Sequence, residues 1–278
     1  MVSTLTVASW NVLAAPWAAP AFYPAGMDPA LLDRDVRADL VADRILAIDA
    51  DVWCLQEVTP TDLARMLGRG LGDRYDHHHV GNGRDLWANW STPEHPWEPN
   101  GTAVLWRHDG LAVDHRGSCV LSADGDVATW VALTHRHGAR VRVMSVHLDA
   151  DDAPTRRVQL PVALDAFTPE PGVVDVLAGD CNEDTTGTDL GAMVAARDFV
   201  EAGEVAGCSD PTHPYARPED GWAALARIDH VLVRGASVTT AAVVDTGVWD
   251  VATPEDRMAE HLRRTGSDHL PVVVTLAA

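Results

Sequence analysis

The sequence contains no lysine: all 21 of its basic residues are arginine, set against 41 acids, for a net charge of −20 with histidine neutral. Such a field repels a polymer of phosphates on average, which argues against a protein that grips nucleic acid tightly and without sequence preference. Phosphate chemistry itself stays open, because one guanidinium binds a phosphate bidentately. Cysteine is scarce. Cys54, Cys119, Cys181 and Cys208 form no CxxC pair, so a zinc knuckle or a thioredoxin-like motif is not expected, and buried free thiols in a reducing compartment are. No stretch approaches 18 uninterrupted apolar residues, so no membrane span is expected. The N-terminus lacks a basic segment leading into a long apolar run, so no signal peptide is read, and the expected location is cytoplasmic. No Ser/Gly linker, low-complexity tract or repeat divides the chain. Residues 1–278 are therefore read as a single domain, expected to be a monomer.

What is present is ordinary globular composition, 46% hydrophobic and 22% charged over 278 residues. That is enough to bury a sizeable core, and it excludes a disordered chain. Leu5, Val7 and Ser9 alternate with Thr4, Thr6 and Ala8, a strand that ends at Trp10-Asn11. Residues 14–30, rich in Ala and Pro, read as a loop. Between Asp33 and Asp49, Val36, Leu40, Val41, Ile45 and Ile48 recur at helical spacing, with Asp33 near the start. A short apolar strand over Asp51–Gln56 delivers Glu57, and a helix over Thr61–Leu71 follows. Residues 80–100 show no clear period and read as a long loop. Strands are expected over Thr102–Trp106, Leu111–Arg116, Val127–Thr134, Arg140–His147, Val173–Ala178, Arg227–Val233, Ser237–Val244 and Pro271–Leu276. Helices are expected over Pro154–Phe167 and Leu190–Phe199, with an irregular segment over 203–226 and a loop or short helix before the last strand. Many strands and few helices suggest two packed sheets with helices outside.

The polar residues of interest share one kind of position, at or beside the end of an apolar strand: Asn11, Glu57, His147, Asp180 with Asn182, and Asp268 with His269. Asp229 lies within a short strand. Acids, amides and imidazoles raised at the rim of a buried β-scaffold are how a site is built on rigid elements. Each has a bland alternative: Asn11 as a loop cap, Glu57 as an exposed strand-end acid, His147 as a structural histidine. In Gly179-Asp180-Cys181-Asn182 the glycine is read as permitting a tight turn. In Arg227-Ile228-Asp229-His230 the alternation sends Asp229 and His230 to opposite faces, so only one can reach a common site.

Taken together, these segments match a known pattern in order. SWNVL (9–13), DVWCLQEV (51–58), GTAVLWR (101–107), SVHLDADDAPTRRVQ (145–159), GDCNED (179–184), RIDHVLV (227–233) and GSDHLPV (266–272) resemble the endonuclease/exonuclease/phosphatase superfamily, the fold of the DNase I-like nucleases. The resemblance implies an α/β (α+β) four-layer sandwich of two packed mixed β-sheets flanked by helices. It implies that Glu57 binds a catalytic divalent cation, Mg²⁺ or Mn²⁺ in its place, with Asn11 assisting and Asp268 contributing to the metal region. It implies that Asp180 orients or deprotonates the attacking water, that Asn182 steadies water and phosphate, and that His147 donates to a phosphate oxygen. His269 would also contact the phosphate, held in place by Asp229. In-line attack on phosphorus needs such an activated water and neutralised oxygens.

Leu13 stands where the exonuclease III-like repair nucleases carry an acid two residues after the first Asn. Asn-Val-Leu, with Arg156 and Gln159, looks more like the sphingomyelinase, deadenylase and small-phosphoester branches. Arg156 is read as anchoring the loop behind His147. His77-His78-His79 is not read as a metal site, since only two of the three share a strand face. Asp149, Asp151 and Asp152 are read as a solvated loop at the rim. Trp10 and Trp53 are read as core. Trp87, Trp90 and Trp97 lie in the irregular stretch, where Trp90 and Trp97 are placed as substrate-binding residues, with packing as the alternative. The expected activity is hydrolysis of phosphate esters, preferably a diester on a small or single-stranded substrate. Nucleic acid remains a substrate candidate, though not as tightly bound duplex. The alternatives are a DNA or RNA nuclease and a catalytically silent binding module on the same scaffold.

Overall fold

In a computed structural model, residues 4–24, 26–83, 98–123, 125–213, 225–244, 247–248 and 253–277 are described. Trp87, Trp90 and Trp97 lie outside them. The first sheet is built from β1 (Thr4–Asn11), β2 (Val52–Val58), β3 (Tyr75–Gly81) and β4 (Gly101–Arg107). The second draws on β5 (Leu111–Val120), β6 (Val127–His135), β7 (Arg140–His147), β8 (Val173–Asp180), β9 (Val200–Glu201) and β10 (Asp229–Arg234). The chain then returns to the first sheet through β11 (Ser237–Val243) and β12 (Val272–Ala277). Among the described residues each sheet has six strands, ordered β11-β12-β1-β2-β4-β3 and β5-β6-β7-β8-β10-β9. Both are mixed: β1–β2 and β7–β8 are parallel pairs, and the other pairs run antiparallel. The helices are α1 (Arg34–Ile48), α2 (Pro60–Gly68), α3 (Ala153–Asp165), α4 (Asp189–Ala195), α5 (Ala202–Ala206) and α6 (Pro254–Thr265).

Period-two alternation explains the layering. Val7, Val52 and Cys54 face the partner sheet and meet Val131, Val143, Val176 and Val231 in the central core. Their neighbours Ala8, Trp10, Trp53 and Leu55 point outward onto Val41 and Ile45 of α1 and Leu63 and Met66 of α2. On the far side Met144, Val146, Leu177 and Leu232 receive Leu160 and Leu164 of α3 and Leu190 and Val194 of α4. The result is the expected four-layer sandwich. Trp10 and Trp53, both fully buried, stack obliquely at 6.5 Å.

Several boundaries differ from the sequence pattern. α1 begins one residue after Asp33, whose side chain caps it by accepting from Val36 N at 2.9 Å. The helix expected over Leu190–Phe199 stops at Ala195. Asp198 then adopts a left-handed conformation and turns Phe199 into the core. α6 is a full twelve-residue helix where a loop or short helix was expected. Thr253 caps it, and Gly266 ends it at φ 79°, where a Cβ would lie 2.6 Å from the Arg37 carbonyl. The 203–226 region, read as irregular, opens with the last four residues of α5. Of the four thiols, Cys54 and Cys181 are buried, whereas Cys119 and Cys208 are half-exposed.

Gly179 has a different reason from the turn expected of it. β8 continues straight through it to Asp180, and a Cβ at 179 would lie 1.9 Å from the Val146 carbonyl oxygen. The glycine lets β7 approach β8 closely just beneath the residues that follow.

Candidate active site

The strand register lines up the polar residues. His147 pairs with Asp180 across β7–β8, and Asp180 pairs with Asp229 across β8–β10, so the three occupy one rung of the second sheet. In the first sheet Asn11 pairs with Gln56, immediately before Glu57. The chain before β12 carries Asp268 and His269 to the same edge. Ser267 Oγ fixes that arrival by donating to the Asn11 carbonyl at 2.7 Å and accepting from His269 N at 3.1 Å.

Below this edge the inter-sheet layer turns polar. Gln56 Nε2 donates to Ser145 Oγ at 3.0 Å and to Cys54 O at 3.1 Å, and Ser145 Oγ donates to Leu55 O at 2.9 Å. These buried bonds tie the two sheets together directly under the site, where loose packing would blur its geometry.

Backbone conformation aims the side chains. Five described non-glycine residues have positive φ, and three border the site: Leu13 (58°), Glu57 (58°) and Asn182 (51°). The left-handed residue at Glu57 coincides with a bulge in the β2–β4 pairing between Leu55 and Val58. The bulge rotates Glu57 out of the strand's alternation. Left-handed conformations at non-glycine residues are costly and persist where surrounding contacts over-determine them.

Asn11 bridges two carboxylates. Its Nδ2 donates to Glu57 Oε1 at 2.9 Å and to Asp180 Oδ2 at 3.0 Å, while its Oδ1 accepts from Leu13 N at 3.0 Å. Glu57 Oε2 accepts from Ala14 N at 2.8 Å. Asp180 Oδ1 accepts from Asn182 N at 2.8 Å, and Asn182 Nδ2 donates to the Leu148 carbonyl at 3.0 Å. Asp180 Oδ2 also lies 3.6 Å from His147 Nε2 and 3.8 Å from His269 Nε2. Those spacings are too long for direct hydrogen bonds and suit groups that share a third partner.

His269 and Asp229 form a buried pair, Nδ1 to Oδ2 at 2.9 Å, and the Trp10 indole donates to the His269 carbonyl at 3.0 Å. Burial opposes a charge on His269, but the Asp229 carboxylate, with Asp180 and Asp268 beyond it, lifts the imidazole well above its ordinary pKa. Burial likewise opposes ionisation of Asp229, and the facing imidazolium more than offsets it. As the alternation required, His230 faces away, toward Glu201 at 3.5 Å and the Glu183 carbonyl.

Sequence reasoning passed over four neighbours. Tyr23 OH donates to Asp268 Oδ2 at 3.2 Å; burial first, and then the Asp268 charge, raises its pKa and keeps it protonated. His213 Nε2 lies 3.7 Å from Asp268 Oδ2, its ring 4.2 Å from that of His269. His261 is buried on α6, and burial pushes its pKa down to about 3. Arg37 is buried on α1, and its Nη1 donates to the carbonyls of Leu13 at 2.8 Å and Gly266 at 2.9 Å. None of the four carried a spacing or strand-end signal. Arg37 staples the loop after β1 to the loop before β12, so Arg37→Met is expected to cost on the order of 3 kcal/mol, read by urea unfolding. An unchanged midpoint would remove the staple from the account.

The site opens into a cleft of about 460 Å³. Trp17, Phe22 and Tyr23, from the loop after β1, line it together with Asp126, Asp149 and Asp151. The acidic loop is ordered rather than merely solvated: Asp149 Oδ1 accepts from the amides of Asp151 and Asp152, and Asp152 caps α3. Arg156 takes the anchoring role expected of it, donating to Asp149 O at 2.8 Å and pairing with Glu183. Gln159 Oε1 accepts from Asp149 N at 2.7 Å.

Solved structures of this fold superpose over nearly the whole chain. The mannosyl-6-phosphatase of Bacteroides thetaiotaomicron matches at a TM-score of 0.72 and 20% identity, covering 99% of this chain and 100% of that one. The human Nocturnin catalytic domain matches at 0.68 and 19%, covering 99% and 95%. ANGEL2, a 2′,3′-cyclic phosphatase, matches at 0.72 and 13%, covering 99% and 95%. At these identities the likeness establishes the DNase I-like fold. A comparison with curated proteins finds no sequence match. The family model "Endonuclease/Exonuclease/phosphatase family" matches residues 8–269, and the chain belongs to that family of phosphoric-ester hydrolases. No helix among the described residues is long and apolar enough to cross a membrane.

Proposed function

We propose that the protein is a Mg²⁺-dependent phosphodiesterase acting on a small or single-stranded phosphate ester by in-line attack of water. The observation that carries this reading is the convergence on Asp180: Asn11 touches its carboxylate, and His147 and His269 stand 3.6 Å and 3.8 Å from it. Three strands and the chain entering a fourth bring these groups together. The relatives named above that act on phosphate esters are consistent with it.

The donor set suits a hard cation. Glu57 and Asp268 are carboxylates at the cleft, and Asp268 Oδ1 is buried with no hydrogen-bond partner among the described residues. A cation held by these two residues would neutralise charge on the phosphate. Asn11 positions rather than ligates: its Nδ2 bridges the two carboxylates, and its Oδ1, the atom that could face a cation, already accepts from Leu13 N. Asp180 accepts the proton of the attacking water. His147 and His269 donate to phosphate oxygens, and Asp229, accepting from Nδ1–H, favours the charged His269 imidazolium whose Nε2–H makes that donation. Asn182 sets the turn after β8 and keeps Asp180 oriented through its backbone amide.

The test is a panel of phosphate monoesters and diesters with Mg²⁺, with Mn²⁺ and with EDTA. Hydrolysis that needs the cation and disappears in Asp180→Asn is the expected result. A purified, folded protein that turns over nothing on the panel, or turns over equally in EDTA, would sink the reading. With no lysine and a net charge of −20, binding of duplex DNA without metal is expected to be undetectable or weak and steeply salt-sensitive. Sub-micromolar duplex binding in EDTA at physiological salt would favour a nuclease instead.

A further inference from the structure

His213, Asp268 and His269 offer ligand atoms that all lie within 4.8 Å of one another. This donor set differs in kind from the oxygen pair assigned to Mg²⁺: it has two imidazoles and one carboxylate, the composition that borderline cations prefer. We propose that it is a binding site for Zn²⁺ or a similar borderline divalent cation, and that its occupation inhibits the enzyme.

Three features support the site. His269 Nδ1 faces the Asp229 carboxylate at 2.9 Å, which leaves Nε2 as the ligating nitrogen. This carboxylate–histidine arrangement orients a metal-binding imidazole and strengthens it as a ligand. Asp268 is held in the same way by the Tyr23 hydroxyl on Oδ2, while its Oδ1 is buried without a hydrogen-bond partner among the described residues. The third arm, His213, sits on fixed backbone, exchanging hydrogen bonds with Ala226 at 3.0 Å and 2.8 Å.

The inhibitory direction follows from shared residues and rests on the function proposed above. His269 Nε2 cannot ligate a metal and donate to a phosphate oxygen at once. Asp268 cannot serve both cations fully. A cation at this site would therefore remove one phosphate contact and weaken Mg²⁺ binding, while leaving Glu57 and Asp180 untouched.

The experiment uses the full chain and Co²⁺ as a spectroscopic stand-in for Zn²⁺. Titration is expected to give the intense visible bands of four-coordinate Co²⁺, bleached by one equivalent of Zn²⁺. His213→Ala and His213→Asn should each lose the bands and weaken cation binding at least about tenfold, with unchanged melting temperature before metal is added. His77→Ala, at a separate histidine cluster, should keep them. In assays with saturating Mg²⁺, Zn²⁺ should inhibit the parent protein, and the His213 variants, each compared with its own Zn²⁺-free rate, should need at least about tenfold more Zn²⁺ for half-inhibition. Absence of the bands, or bands and inhibition that persist without His213, would overturn the proposal. Bands that depend on His213 in a protein that hydrolyses no phosphate ester would sustain the cation site and remove the functional reading, so the two failures are distinguishable.

Discussion

Glu57→Gln is expected to lower phosphate-ester hydrolysis at saturating Mg²⁺ by about 10³-fold, on the order of 4 kcal/mol of transition-state stabilisation. The substitution keeps the side chain's size and one carbonyl oxygen. That oxygen can still accept from Asn11 Nδ2 or from Ala14 N, the two donors at 2.9 Å and 2.8 Å in the parent. What it removes is the negative charge that draws a hard cation. The loss should therefore appear as a raised Mg²⁺ requirement together with a lowered rate, while the urea midpoint moves little. Measuring rate against Mg²⁺ concentration for parent and variant separates the outcomes. A well-folded variant with full activity at limiting Mg²⁺ would show that the carboxylate holds no catalytic cation.

The pairing of Asp229 with His269 makes a second strong expectation. Asp229→Ala and His269→Ala should each cost about 10²- to 10³-fold in kcat/KM, and the double variant should be little worse than the worse single. The reason is geometric. The 2.9 Å contact is fully buried, so an imidazole without its carboxylate loses both its orientation and the charge that keeps it a donor. Losses that multiply in the double variant would show two independent roles. Because removing one member of a buried charged pair also destabilises the fold, the cycle should include Asp229→Asn. That variant keeps a hydrogen-bond acceptor, and it separates loss of activity from loss of folded protein.

The reach of sequence reasoning followed the range of the forces involved. Alternation along Leu5–Ser9 and the 3.6-residue period after Asp33 are local, and each reports which face a residue buries. They were sufficient for the sandwich, for Trp10 and Trp53 in the core, and for the opposed directions of Asp229 and His230. The ordered motifs also placed Glu57, Asp180 and His269 at strand ends. α6 was less legible because its second half, with His261 and Leu262 buried among polar neighbours, lacks a clean apolar stripe.

Tertiary structure alone decided how those strand ends meet. Gly179 is required by the Val146 carbonyl of another strand, a contact no local pattern encodes. Glu57 enters the cleft through a bulge and a left-handed residue, which cost local energy and exist because the surrounding sheet holds them. Tyr23, Arg37 and His213 reach the site from a loop, a helix face and an irregular segment, separated from Asp268 by tens to hundreds of residues. The sequence by itself determined which chemical groups the protein owns and which faces they occupy, since burial and periodicity act between near neighbours. Their distances to Asp180 and Asp268 depended on packing two sheets across one polar seam, and long-range packing sets positions that no local pattern contains.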